Sequence, residues 1–258
     1  MRSVWAYWQP TKSRDKPEMI KMCHQRMANR QRDGVGYNLN ILSEDNLNIF
    51  FKNIPDIFFK FPWYCSGAFQ ADYLRVRLLY EYGGVYLDSD TLVLGSLDPF
   101  FSLLEEYDSV FFRAPDGFIT NAVLISKPKS QIMGDWLEEI EGILERAPTE
   151  PNDQGGILPC AWGGLGQNSI SPLVNSEKYK NIKVFSGEET IYPINWSNQE
   201  VLLQDDSDKL LYNKYKRDMQ PVLILTKVLY EAIERQKISL EELRNSGRLI
   251  SNFINAKS

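Results

Sequence analysis

The spacing of apolar residues along the first third of the chain changes period several times, which predicts alternating strands and helices. Residues 3–8 form a short aromatic strand, and from about Asp15 apolar side chains recur at the three- and four-residue spacing of a helix. A second strand follows at residues 37–42, after which Ser43 caps a short helix. This order predicts an α/β fold with a mostly parallel central sheet and helices on its faces.

The segment from residue 66 to residue 97 contains the strongest pattern of this kind. Apolar residues cover much of the surface of a helix over residues 66–82, so this helix is predicted to be substantially buried. Gly83 supplies a left-handed stop, and Gly84 lets a strand start close to the helix. The strand, residues 85–87, ends at Asp88.

The remaining elements are predicted from the same periodicities and from end signals. Strands are expected at residues 91–94, 109–113, 118–126, 184–186, 190–194 and 220–227. Helices are expected at residues 53–64 (a short helix and connector), 97–104, 130–146, from Ser169, at 227–236 and from Ser239. Residues 147–168 carry several glycines and form an irregular segment, which in a compact domain indicates a functional or mobile loop.

The chain changes character near residue 227, where two charged amphipathic helices can be drawn. We therefore predict a domain over residues 1–226 and a C-terminal helical appendage over residues 227–258 that packs on it. Peripheral contact of these helices with a membrane surface is the alternative interpretation.

Composition narrows the class of protein. The 258 residues carry a net charge of −5, which argues against a nucleic-acid-binding protein because such proteins present a basic face to phosphates. No apolar run is long enough to span a bilayer and no leader pattern follows Met1, so cytoplasmic residence is expected. The three cysteines form no CxxC pair, and the single histidine, His24, is interpreted as a packed or solvated side chain.

Asp88 and Asp90 are the main candidates for chemistry. Side chains two apart in an extended chain point to the same side, and two close carboxylates repel each other unless a cation lies between them. Magnesium or manganese brought in with a phosphate ligand satisfies this arrangement. A phosphatase of the DxDx[TV] type is disfavoured because Thr91 comes one place too early. A structural calcium turn is disfavoured because only two carboxylates are present locally and an apolar strand resumes at once, whereas a solvated acidic turn without function remains an alternative.

Longer motifs carry a resemblance to a known family. Residues 72–90, DYLRVRLLYEYGGVYLDSD, resemble the DXD signature of sugar-nucleotide glycosyltransferases of family 32. VWAYWQ, LNILSEDNL, WGGLGQ and YPINW are similar to further motifs of that family and of related capsular polysaccharide synthesis proteins, and together the similarities cover about residues 3–200. The resemblance implies the GT-A fold and a retaining transfer of a hexose from a nucleotide-diphosphate sugar to a glycan or glycoconjugate acceptor. It also implies Mn²⁺ or Mg²⁺ as cofactor, with a UDP-sugar favoured over a GDP-sugar as donor.

The same resemblance implies roles for five catalytic candidates. Asp90 would bind the metal directly, and Asp88 would contact the metal shell and the ribose. Asp72 and Arg75, three apart and so on one helix face, would hold donor sugar hydroxyls and phosphates. Asn121 would bind the sugar.

Five further residues are candidates for contact with the nucleotide sugar. Trp5, Tyr7 and Trp8 would stack on the base, although a buried strand aromatic explains them equally well. Tyr86 is placed with this group, and Gly166 would let the acceptor-side loop approach the sugar.

One departure from the family pattern concerns the metal site. Relatives carry a histidine in a late strand, and here Leu223 stands at the corresponding position. The sequence therefore does not identify a third protein ligand to the metal. A sugar-nucleotide-binding protein without turnover is the alternative function, and a metal-dependent phosphatase is a weaker one.

Overall fold

A computed structural model describes residues 2–10, 16–62, 65–153, 155–217 and 220–256. Three parts of predicted elements lie outside these ranges. They are the start of the first helix at about Asp15, residues 63–64 of the connector, and the last two residues of the C-terminal appendage.

Up to residue 186 the strands and helices follow the predicted order. The strands are β1 (Ser3–Tyr7), β2 (Asn38–Leu42), β3 (Gly84–Leu87), β4 (Thr91–Val93), β5 (Ser109–Arg113), β6 (Ile119–Ser126), β7 (Ile182–Ser186) and β8 (Val222–Ile224). The α-helices are α1 (Glu18–Asn29), α2 (Ser66–Tyr82), α3 (Asp98–Glu106), α4 (Gln131–Glu145), α5 (Gln167–Asn175), α6 (Leu210–Tyr215), α7 (Lys227–Gln236), α8 (Leu240–Asn245) and α9 (Leu249–Asn255). Three 3₁₀ helices span Glu44–Ile49, Asp56–Lys60 and Trp196–Leu203.

Six strands form the central sheet in the order β2-β1-β3-β6-β5-β7, and β4 pairs with β8 in a separate ribbon. Strand β6 is antiparallel to both of its neighbours, whereas the other three pairs in the sheet are parallel. Five of the six strands therefore run the same way. The predicted fold class, α/β with a mostly parallel sheet flanked by helices, is confirmed.

The two faces of the sheet are covered by different cores. Tyr86 and Leu124 belong to a cluster formed with α2 and α4. Val85 and Ile125, the next residues along the same strands, belong to a second cluster on the other face. This alternation is the period of two expected of strands buried on both sides.

The junction between α2 and β3 shows why two consecutive glycines stand there. Gly83 has φ of +66° and Gly84 has φ of +106°, a conformation that residues with a side chain rarely adopt. A Cβ on Gly84 would lie 2.3 Å from the carbonyl oxygen of Ser3. The glycines let helix α2 end abruptly and let β3 pair closely with β1.

Two predicted elements differ from the structure. Residues 190–194 are not a strand, because the amides of Ile191 and Tyr192 both donate to the carbonyl oxygen of Gly187 and Pro193 has no amide to donate to a ladder. Helix α5 begins at Gln167 rather than at Ser169, since the carbonyl of Gly166 already accepts the first helical bonds. The 3₁₀ helix at Trp196–Leu203 and helices α6 and α9 had no counterpart among the predictions.

The C-terminal helices share a third core with the β4–β8 ribbon and α1. This cluster includes Leu92, Leu223, Leu229, Leu243 and Phe253. Among the described residues, none of the helices combines the length and hydropathy that crossing a membrane requires. The domain boundary at residue 227 stays a prediction.

Candidate functional site

The candidate residues converge at one edge of the central sheet. Strands β1 and β3 are parallel, so Trp8 and Asp88, which follow them, lie at the same edge. Strand β6 is antiparallel to β3 and begins there, which places Asn121 beside Asp88. The Asp88 amide donates to the carbonyl oxygen of Ala122 at 2.8 Å and continues the ladder up to the first aspartate.

Arg75 joins these groups from helix α2. Its guanidinium lies 3.0 Å from a carboxylate oxygen of Asp88 and 3.3 Å from one of Asp72, and it donates to the backbone oxygen of Asn121. The guanidinium also lies over the ring of Tyr86, 4.9 Å from its centroid. Only 4% of the Arg75 side chain is exposed. The pair of residues three apart on the helix is therefore a buried bridge between helix and sheet, not a solvated surface pair.

Asp72, Asn121 and Gly166 form a second set of contacts at the far side of Arg75. The side-chain amide of Asn121 donates to the Asp72 carboxylate at 2.7 Å. A Cβ on Gly166 would lie 2.3 Å from that amide nitrogen and 3.0 Å from the carboxylate. The glycine therefore lets the loop before α5 approach the pair directly, and its predicted role in letting that loop approach a sugar stays a prediction.

Two cavities open beside this cluster and share part of their lining. A smaller one of about 160 Å³ is bordered by Asp72, Arg75, Asn121 and Trp162. A larger one of about 470 Å³ is bordered by Tyr7, Trp8, Ser89, Asp90 and Trp162. Asp88 and Arg75 face both. The arrangement is a bipartite pocket in which Arg75 and Asp88 lie between the two halves, and Ser89 and Asp90 face the larger one.

The electrostatics of the smaller cavity follow from burial. The pKa of Asp72 is raised to about 6, mainly by burial and in smaller part by the charge of Asp88, while Arg75 and Asn121 oppose the change. Burial acts to lower the pKa of Arg75, but the neighbouring Asp88 and Asp72 carboxylates hold it above its ordinary value. The guanidinium is thus charged throughout the physiological range.

The pair of aspartates in the turn carries more negative charge than its protein neighbours balance. Burial and the charge of Asp88 raise the pKa of Asp90 to about 7, and burial raises the pKa of Asp88 against the opposing effect of Arg75. Within the described part of the chain, Asp90 makes no ion pair with a basic side chain. Two carboxylate groups with this excess charge fit a hard divalent cation.

The protein does not supply a complete coordination shell of its own. Among the residues that the structure describes, no three histidine, cysteine or acidic side chains are grouped to hold a metal. Leu223, at the position of the expected histidine, is fully buried and pairs with Leu92 between strands β8 and β4. Any metal held by Asp88 and Asp90 would need further ligands from a bound anion and from water.

The aromatic candidates separate into two groups. Trp8 is half-buried and Tyr7 is 4% exposed, and both border the larger cavity. Trp5 instead donates its indole N–H to the carbonyl of Gly83 at 2.8 Å, and its ring packs against Phe50. Its predicted role in stacking on a base is not supported, because no face of the ring is left for a ligand.

Tyr86 also differs from its predicted role. Its side chain is fully buried beneath the Arg75 guanidinium in the core on the α2 face of the sheet. Tyr86 therefore supports Arg75 and does not present a surface to the nucleotide.

Three residues near the site had not been assigned a role from the sequence. His24 in α1 contacts Ser89 at 2.9 Å. Trp162 is 70% exposed at the mouth of both cavities, and Tyr192 contacts Thr120 through its hydroxyl. Trp162 and Tyr192 belong to the motifs at residues 162–167 and 192–196, which could have identified them, whereas no pattern in the sequence indicated a role for His24 at this site.

Comparison with known proteins identifies one matching family. Residues 17–109 match the model of the glycosyltransferase sugar-binding region containing the DXD motif. The matched segment is a little over one third of the chain and includes α1, α2 and the Asp88-Ser89-Asp90 turn. This part of the chain is therefore similar to the sugar-binding region of DXD glycosyltransferases.

A curated relative and several solved structures are similar to parts of the chain. An uncharacterized protein of Arabidopsis thaliana is 35% identical over 82 residues, which are 31% of this chain and 12% of that protein. The PaToxG glycosyltransferase is 16% identical with a TM-score of 0.44, covering 69% of each chain. The apo form of the glycosyltransferase GlyE of Streptococcus pneumoniae is 14% identical with a TM-score of 0.48, covering 96% of this chain and 64% of that one. An active-site mutant of LgtC is 12% identical with a TM-score of 0.45, covering 86% of each chain.

Proposed function

We propose, from the DXD sugar-binding region at residues 17–109, that this protein is a GT-A glycosyltransferase of the family 32 type. It transfers a hexose from a nucleotide-diphosphate sugar to a glycan or glycoconjugate acceptor with retention of configuration. The donor is a UDP-sugar in preference to a GDP-sugar, and Mn²⁺ or Mg²⁺ assists. Cytoplasmic residence stays a prediction.

One observation carries the proposal: Arg75 bridges a polar pocket and an acidic turn. On one side of the guanidinium, Asp72 and Asn121 offer a carboxylate and an amide to a small cavity. On the other side, Asp88 and Asp90 face the larger cavity. A sugar joined to a diphosphate has the same sequence of parts, hydroxyls at one end and a metal-binding anion at the other.

Each residue then has a distinct contribution to the transfer. Asp72 and Asn121 hold sugar hydroxyls, because a carboxylate and an amide together accept and donate. Asp88 and Asp90 would hold the divalent cation, which supplies positive charge to the departing diphosphate. Arg75 fixes Asp72 and Asp88 relative to each other, so the sugar and the diphosphate are held in one orientation. Trp8 borders the larger cavity, where a base can stack on its ring.

Retention through a front-face displacement is supported by the state of the pocket carboxylate. A double displacement requires a carboxylate that attacks the anomeric carbon and becomes covalently bound. Asp72 is instead engaged by Arg75 and Asn121. Within the described residues bordering the smaller cavity, Asp88 is the other carboxylate, and Arg75 engages it as well.

The acceptor side is assigned to the loop that precedes α5. Its indole, Trp162, is exposed beside both cavities and lies edge-on to Phe69 with ring centroids 6.3 Å apart. The loop itself is anchored, since Trp136 donates its indole N–H to the Leu165 carbonyl at 3.1 Å. A fixed, exposed ring of this kind is suited to stack on the apolar face of an acceptor sugar.

A second candidate function, a sugar-nucleotide-binding protein without turnover, is favoured by the burial of Leu223. The position expected to complete the metal shell lies in an apolar core, so the metal has fewer protein ligands than in relatives with a histidine. Weak metal retention is compatible with binding of the nucleotide and would slow the departure of the diphosphate.

The decisive experiment combines a donor screen with two substitutions. Thermal shift with a panel of sugar nucleotides and Mn²⁺ identifies the donor, because a ligand that binds only the native state raises the apparent stability. Asp88→Ala and Asp90→Ala are then each expected to lower donor hydrolysis and transfer at least a hundredfold. Glu145→Ala, which removes an exposed carboxylate from the last turn of α4, is the matched control and is expected to act as wild type.

The outcomes separate the functions. Wild-type rates in both aspartate variants with metal present would refute the proposal. Metal-dependent nucleotide binding with no turnover across the panel would favour the binding protein, and phosphate release from simple phosphomonoesters would favour a phosphatase.

A further inference from the structure

His24 lies behind the Asp88-Ser89-Asp90 turn. It is the single histidine of the chain, its residue is 7% exposed, and it projects from α1 toward the middle residue of the turn. Its Nε2 atom is 2.9 Å from the Ser89 hydroxyl, and its Nδ1 atom is 3.1 Å from the Lys16 ammonium. The ring is therefore held at both nitrogens between a surface-side cation and the acidic turn.

The proton on the imidazole can be placed by counting donors. The Ser89 hydroxyl lies 2.7 Å from the backbone carbonyl oxygen of Tyr7, which can only accept, so the single hydroxyl hydrogen is used there. The Ser89 oxygen must then accept from His24, which requires a hydrogen on Nε2. Lys16 can only donate, so Nδ1 must be the acceptor. Both contacts require the same neutral tautomer.

The neutral state is consistent with the surroundings of the ring. Burial, followed by the positive charge of Lys16, lowers the pKa of His24 to about 4. A second ring proton would lie on Nδ1 and face the ammonium. The chain from Lys16 through His24 and Ser89 to Tyr7 is thus fully satisfied in one protonation state.

This chain constrains the turn that carries the two aspartates. The Thr91 amide donates to the Asp88 carbonyl at 2.9 Å, which closes the turn around Ser89. With the Ser89 hydroxyl held inward, Asp88 and Asp90 on either side of it face the larger cavity. Without that inward contact, repulsion between the two carboxylates favours their separation.

We propose that His24 is a positioning residue for the acidic turn, held as the Nε2–H tautomer between Lys16 and Ser89. Its side chain is not part of the lining of either cavity, so it acts through Ser89. The role of His24 rests on the proposed function only in the experiments that measure binding of metal and nucleotide.

The tautomer can be measured directly, because a single histidine makes the assignment of ring resonances unambiguous. Long-range ¹⁵N–¹H correlation spectra at pH 7 are expected to show a protonated Nε2 and an unprotonated Nδ1. Ser89→Ala should shift mainly the Nε2 resonance, and Lys16→Met mainly the Nδ1 resonance. A ring protonated on Nδ1, or one averaging between tautomers, would overturn the proposal without bearing on the enzyme function.

The positioning role is tested by two substitutions that differ in one donor. His24→Gln keeps a side-chain N–H near the Nε2 position, whereas His24→Leu removes it. In His24→Leu the amide of Thr91 is expected to exchange faster, and the apparent affinity for UDP with Mn²⁺ is expected to fall about three- to tenfold, the range for one net hydrogen bond. His24→Gln should remain within about twofold of wild type.

Two results would contradict this role. One is an equal loss of thermal stability in both variants with unchanged Thr91 exchange and unchanged UDP affinity of the folded protein. The other is additive weakening in the double variant His24→Leu, Ser89→Ala, since groups in one chain should not act independently. If wild-type protein binds no UDP with Mn²⁺, the proposed function fails, and the tautomer and Thr91 exchange still decide the role of His24.

Discussion

Replacing Gly166 with alanine tests whether the smaller cavity is the sugar end of the donor site. A Cβ at this position would lie 2.3 Å from the Asn121 amide nitrogen, whereas ordinary contacts begin at 3.4 Å. The Asn121 side chain or the loop must therefore move by about 1 Å. That displacement disrupts the 2.7 Å hydrogen bond from Asn121 to Asp72.

The expected magnitude follows from the groups involved. A hydrogen bond to a charged group contributes about 1.5–3 kcal/mol, and about 1.4 kcal/mol corresponds to a tenfold change in affinity. Disordering the Asp72–Asn121 pair should therefore weaken binding of the sugar nucleotide by roughly tenfold to a hundredfold. Overpacking should also lower the free energy of unfolding by about 1–3 kcal/mol.

The assay compares two ligands on the same variant. Calorimetric titration with UDP and with the sugar nucleotide, both with Mn²⁺, separates the two halves of the pocket, since the atoms nearest to an added Cβ on Gly166 belong to Asn121 and Asp72. In Gly166→Ala, affinity for UDP should stay within about threefold of wild type while affinity for the sugar nucleotide falls.

A matched glycine provides the control. Gly142 lies inside α4, where an added Cβ meets only the flexible end of Arg146. Gly142→Ala is expected to leave both affinities unchanged and to raise the free energy of unfolding by about 0.5–1 kcal/mol. Equal weakening of UDP and of the sugar nucleotide by Gly166→Ala, or weakening of neither, would refute the assignment of the sugar pocket.

Three further predictions test individual residues. The pKa of Asp72 is raised from 3.8 to about 6, so the native state binds the carboxyl proton more tightly than the unfolded state does. The resulting contribution to the free energy of unfolding is fully present below about pH 4 and is lost as the pH rises through 6. In urea unfolding, the free energy of unfolding of Asp72→Asn should thus fall by about 2–3 kcal/mol less between pH 4 and 6 than that of wild type. The same pH dependence in both proteins would contradict a buried Asp72 carboxylate with a raised pKa. Trp162→Ala should raise the acceptor KM about three- to tenfold, more than the donor KM, and the reverse order would place Trp162 on the donor side. Leu223→His should lower the free energy of unfolding by about 2–5 kcal/mol, because it buries an imidazole in an apolar core. It should not tighten Mn²⁺ binding, and a gain in Mn²⁺ affinity would show that strand β8 faces the metal.

Local patterns explain why much of the fold could be predicted. The bounds of α2 match the predicted 66–82, and Gly83 and Gly84 have the positive φ values that a sharp exit from a helix requires. These signals depend on neighbours a few residues apart, so one chain contains them fully. The strand expected at 190–194 was wrong for a different reason: the Gly187 carbonyl collects the amides that a strand would need.

The candidate site shows the same division between local and distant information. The sequence by itself determined the identity and spacing of Asp72, Arg75, Asp88 and Asp90, and helical spacing placed Asp72 and Arg75 on one face of α2. The direction of Asp88 and Asp90 relative to that face depends on the turn around Ser89, which the Thr91 amide closes onto the Asp88 carbonyl. The sequence could not place Trp5, since a period of two assigns a residue to a face of the sheet but not to a cavity or a core. The structure puts its ring in the core.

Only the tertiary structure decided the contacts between distant segments. His24 and Ser89 are 65 residues apart, and Asn121 and Asp72 are 49 apart, so no local pattern relates the members of either pair. Leu223 likewise became a core residue because β8 pairs with β4 and not with the central sheet. Such contacts arise from the packing of whole elements, in which side chains far apart along the chain are buried together, and a single sequence carries no direct record of that packing.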